Sequence, residues 1–144
     1  MFNFFKKKTK NTEKVDMISK TASLLIHAAK IDENYTIKEK EIIEKTLLEL
    51  GLSPEKLPET MKIAEKNEQN SNQILDFTRD IKNENDDFKI KLIESLWKII
   101  YSDSSSGMYE TNLMRRLTGL LYLDNKVVGD IKEKVIKKNN DISS

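Results

Sequence analysis

The chain has 144 residues, enough for one ordinary domain with a single core. Its 25 basic and 24 acidic side chains leave a formal charge of +1, which excludes a global field that recruits nucleic acid. The absence of cysteine excludes a disulfide framework, a thiolate metal site and a cysteine nucleophile, and only four Gly and two Pro favour an all-α domain.

Residues 1–12 form a basic, aromatic N-terminal tail, with three phenylalanines followed by Lys6, Lys7, Lys8 and Lys10. Rings and ammonium groups in that order suit an anionic membrane surface, so residues 1–10 are a candidate peripheral membrane contact. The alternative is a terminus whose phenylalanines fold back onto the domain.

From about Glu13 to Ile31, apolar residues recur at Val15, Ile18, Ala22, Leu25, Ile26 and Ala29, the spacing of an amphipathic helix. Asp32 to Thr36 is a loop, and Thr36 with Glu39 reads as a capping box opening a second helix that stops at Gly51. Ser53-Pro54-Glu55 starts a third helix, expected to run to about Asn67. A polar loop and a short fourth helix through Ile74, Leu75, Thr78 and Ile81 follow. The fifth helix, about Asp87 to Tyr101, is the most apolar and is expected to cross the centre of the fold. Asp103 to Gly107 is a second loop, Met108 to Leu121 a sixth helix, and Asn125 to about Lys137 a seventh, capped by Asp124. The helical domain therefore spans residues 13–138, and 139–144 is expected to be a disordered tail. No apolar run reaches the roughly 20 residues of a membrane span, and nothing resembles a signal peptide. A cytoplasmic location follows as the expectation, with peripheral contact at the inner membrane face through the basic tail.

The chain repeats itself at a spacing of 71 residues. Asp32 and Glu39 return as Asp103 and Glu110, Leu25 matches Leu96, Ile42-Ile43 matches Leu113-Met114, and Leu50-x-Leu52-Ser53 matches Leu121-x-Leu123-Asp124. Two pseudo-twofold-related helix–acidic loop–helix halves are expected, giving an all-α fold of about seven helices.

The run Leu96-Trp97 to Asp103, then Glu110, Arg115-Arg116-Leu117 and Leu120-Leu121, resembles the TerB-like family, named after tellurite-resistance proteins of bacteria. The first half follows the same pattern through Ala28, Ala29, Asp32 and Glu39, then Gly51-Leu52-Ser53-Pro54, so the likeness covers about residues 17–137. It implies an all-helical fold whose loop carboxylates bind a divalent metal, calcium foremost. It also implies a place in stress responses and in complexes at the inner face of the membrane. The family's Gly after each Asp is Glu33 and Ser104 here, and Gly107 supplies backbone freedom one turn later.

Four carboxylates are thus candidate metal ligands: Asp32, Glu39, Asp103 and Glu110. Calcium takes six to eight hard oxygens, so one loop is too poor and the two must converge. Capping is the competing duty of both Glu residues, each three positions after a cap. His27 reads as a core or boundary residue, Trp97 as core, and one of Arg115 and Arg116 as pairing with a carboxylate. No P-loop, dinucleotide-binding glycine motif, nucleophile elbow or basic base-reading helix occurs. The expectation is a non-enzymatic domain that binds a protein partner and no nucleic acid. A metal-independent interaction scaffold is the alternative.

Overall fold

With neither Gly nor Pro before Gly51, nothing in the first fifty residues breaks a helix except the polar stretch near Asp32. The computed structural model describes the backbone of residues 2–31, 35–70, 74–102 and 108–143, and the side chains of 16–31, 35–70, 74–102 and 111–139. The first helix, α1 (Phe2–Ala29), starts well before Glu13, taking the basic tail into a single rod of 28 residues. Six more follow: α2 (Ile37–Glu49), α3 (Leu57–Asn70) entered through a 3-10 turn at Pro54–Lys56, α4 (Leu75–Ile81), α5 (Asp86–Ile100), α6 (Met108–Leu120) and α7 (Asn125–Ser143). Among the described residues there is no strand, and no helix is long and apolar enough to cross a membrane.

The seventh helix also overruns its expected end: it reaches Ser143, through the segment 139–144 expected to be disordered. No Gly or Pro follows Gly129, so no residue there breaks the helix. Likewise α3 continues to Asn70 instead of stopping near Asn67.

The centre is shared by two helices. In α5, Leu92, Ile93, Leu96, Trp97, Ile99 and Ile100 are buried, as its apolarity predicts. In α1, every residue from Thr21 to Ile26 is buried, because α2, α3, α4 and α5 all pack on it. The two polar residues of that run are satisfied: Thr21 donates to the Met17 carbonyl at 2.8 Å, and Ser23 to the Ala64 carbonyl of α3 at 3.0 Å.

The 71-residue register is visible in the backbone itself. At the end of α1, Lys30 N–H donates to Ile26 and Ile31 N–H to Ala28; at the end of α5, Tyr101 donates to Trp97 and Ser102 to Ile99. At the end of α2, Gly51 donates to Leu48 and Leu52 to Leu47, the paired bonds of a Schellman stop. Tyr122 to Gly119 and Leu123 to Thr118 repeat them after α6. Gly51 takes the left-handed φ of 109° that such a stop needs, and Tyr122 takes 57° at the same place.

Candidate functional site

The first loop delivers the chain into α2 through a complete capping box. Thr36 accepts from Glu39 N–H at 3.1 Å, and the Glu39 carboxylate accepts from Thr36 N–H at 2.8 Å. These bonds satisfy groups the helix leaves open and hold the Glu39 carboxylate in place, 5% exposed. Of the four carboxylates singled out by sequence, Glu39 is the one whose side chain is described. Asp32 and Asp103 lie outside the described residues. Glu110 stands in the first turn of α6, with its side chain outside them too. Among the described residues no group of three or more His, Asp or Glu is arranged to hold a metal ion.

The flanks of the two loops are joined directly. Lys38 in the first turn of α2 extends its ammonium to the Ser102 carbonyl at 3.2 Å, the residue immediately before Asp103. Ser102 is itself held by its hydroxyl, which donates to the Ile99 carbonyl at 2.7 Å.

Tyr35, next to the first loop, adds a group that the sequence pattern does not flag. Its hydroxyl is buried and has no hydrogen-bond partner among the described residues. Burial holds the phenol well above its ordinary pKa, helped by the charges of Glu65, Glu44 and Glu39, in that order. Carboxylates from two helices, α2 and α3, therefore face one corner beside the acidic loop. Lys40 partly offsets them, with Nζ 3.6 Å from Glu65. Glu44 and Glu65 were invisible to spacing arguments because Glu65 arrives on a separate helix.

His27 is a boundary residue as expected, with Nδ1 3.5 Å from Glu68 of α3. Trp97 is core, its indole N–H donating to the Val128 carbonyl at 3.2 Å. Arg115 and Arg116 are exposed, and neither forms an ion pair among the described residues, so the expected carboxylate partner is not found there.

A family model described as tellurite resistance protein TerB matches residues 19–133. No curated protein and no solved structure matches the chain.

Proposed function

The chain belongs to the tellurite resistance protein TerB family, and from that premise we propose a non-enzymatic domain that binds a divalent cation, calcium foremost, through its two acidic loops. In this reading Asp32, Glu39, Asp103 and Glu110 supply the carboxylates, and cation binding modulates a protein partner in a stress-response complex. The basic segment 1–10 would bring that complex to the inner face of the membrane, on the cytoplasmic side.

The observation that carries the reading is the Lys38–Ser102 bond, which ties the start of α2 to the residue before Asp103. It supports two loops acting as one site, which a cation requiring six to eight oxygens needs.

The capping bonds of Glu39 favour the alternative, a metal-independent interaction scaffold, because they give that carboxylate a structural duty. Thermal unfolding with calcium, magnesium or zinc, against a chelated control, separates the two. The cation reading expects a rise in melting temperature with at least one metal, following mass action, and its loss in Asp32→Ala plus Asp103→Ala. No rise with any of the three metals removes the cation and leaves the scaffold.

A further inference from the structure

The 71-residue register carries into the packed seams, where the two halves differ in charge. In the first half, Glu68 of α3 reaches back to α1. Lys30 Nζ donates to it at 2.9 Å, His27 Nδ1 lies 3.5 Å away, and the Glu68 side chain is 11% exposed. The register-equivalent residues of the second half are Asn139, Tyr101 and Lys98. Asn139 Nδ2 does meet the Tyr101 carbonyl at 3.5 Å, so α7 approaches α5 as α3 approaches α1. The carboxylate, however, has become a neutral amide.

A cavity of about 510 Å³ opens at that point between α2, α5 and α7, with the ammonium groups of Lys38, Lys45, Lys98 and Lys138 around it. Among the described residues its one carboxylate, Glu49, is already engaged by Lys91. Lys98 is shared with Glu94 at 2.8 Å, and Lys38 rests on the neutral Ser102 carbonyl, with no ion pair of its own among the described residues. The floor carries the ring of Tyr101, stacked on Trp97 at 6.0 Å, and the buried Val135.

We propose that this cavity binds a small phosphorylated ligand bearing at least two negative charges, which supplies from outside the anion that Glu68 supplies in the first half. One carboxylate suffices where a lysine and a histidine meet. Four lysines around one open cavity call for a polyanion, and phosphate oxygens accept from several ammonium groups at once. The volume lies within the range of small-molecule sites, and the aromatic and aliphatic floor offers contact to a base or other apolar part. The cavity shares Lys38 and Ser102 with the cation reading, and its test is run in chelator so that the two are read apart.

Isothermal titration with ATP and with sodium tripolyphosphate, both in EDTA, tests it. Wild-type protein is expected to bind both, more weakly as salt rises. Lys45→Glu with Lys138→Glu should weaken binding by at least about tenfold, the loss of two ammonium contacts. Asn139→Glu, which restores the first half's carboxylate inside the chain, should also weaken binding by about tenfold. Lys62→Glu with Lys66→Glu, an equal charge change on exposed positions of α3 outside the cavity, should change affinity by less than about twofold. The proposal fails if neither probe binds wild type, if the α3 pair weakens binding as much as the cavity pair, or if Asn139→Glu binds like wild type.

Discussion

The seam between α1 and α3 and the seam between α5 and α7 share one register and end up with different surfaces. In the first, Ser23 and Ala64 are both fully buried and hydrogen-bonded to each other, so the helices close on small residues. Their equivalents in the second are Glu94 and Val135. There the helices are tied at the Trp97 indole, and a cavity of about 320 Å³ lies alongside, next to Glu94 and Lys98. Backbone stops and apolar spacing therefore set how the helices run, while side-chain size and charge at a few seam positions decide whether a surface is sealed or open. The open one is where a ligand has room.

The largest expected effect probes what the halves share. Leu25 and Leu96 are register equivalents and both fully buried, so Leu25→Ala and Leu96→Ala should each cost about 2–5 kcal/mol in chemical denaturation. A cost under about 1 kcal/mol for either would break the equivalence of the two cores.

The helix stops come next, and here opposite signs are expected. Gly51→Ala places a side chain at a φ of 109° and should destabilise by roughly 1–3 kcal/mol. Tyr122, at 57° and 72% exposed, already bears that strain, so Tyr122→Gly should stabilise by roughly 0.5–1 kcal/mol even after glycine's entropic cost. The gain is limited by the loss of the ring beneath Lys82, whose Nζ sits 5.8 Å from the centroid. Denaturation midpoints moving in the same direction would contradict the shared Schellman geometry.

A smaller contrast sharpens the seams. Ser23→Ala removes a buried hydrogen bond between α1 and α3 and should cost about 1 kcal/mol. Glu94→Ala, at the equivalent place, should cost under about 0.5 kcal/mol because its ion pair with Lys98 is partly solvated. Equal costs would mean that the second seam is as closed as the first.

How far these features were readable in the sequence follows from the range of the interactions that make them. The capping box at Thr36 and Glu39, the stop at Gly51 and the apolar faces of α1 and α5 are set by residues within a few positions of each other, and local spacing exposes them. The repeat was legible because both halves keep the same apolar positions. The start of α1 and the end of α7 were not, since the stretches from Lys6 to Lys14 and from Lys137 to Asp141 carry no apolar residue from which a period could be read. Nor were the surroundings of Tyr35, which Glu65 joins from α3, or the lysine cavity, which Lys98 and Lys138 join from α5 and α7. Tyr122 is instructive in another way. A glycine was the signal for the stop after α2, while the stop after α6 forms on a tyrosine and shows only through its register with Gly51.

The smallest expected effect concerns protons at the open seam. Lys98 donates to the Glu94 carboxylate, and that bond, with the charges of Lys98, Lys91 and Lys138, holds its pKa below the usual range against the opposing effect of burial. A carboxylate depressed on folding stabilises the protein above its unfolded value of about 4.3, and that contribution is lost as pH falls through the folded value. Ser23, at the equivalent place in the first seam, has no counterpart titration. Asp80, lowered by its bond to Lys20, titrates in the same acid window, so a bulk unfolding curve mixes the two. Carboxyl chemical shifts followed by NMR resolve them. Lys98→Met should bring Glu94 back toward the ordinary value and leave Asp80 where it is. Saturating tripolyphosphate should move Glu94 in the same direction, because a bound polyanion competes for Lys98 and adds negative charge beside the carboxylate. A Glu94 titration that shifts with Lys98→Met but ignores tripolyphosphate would place the bound anion away from Lys98.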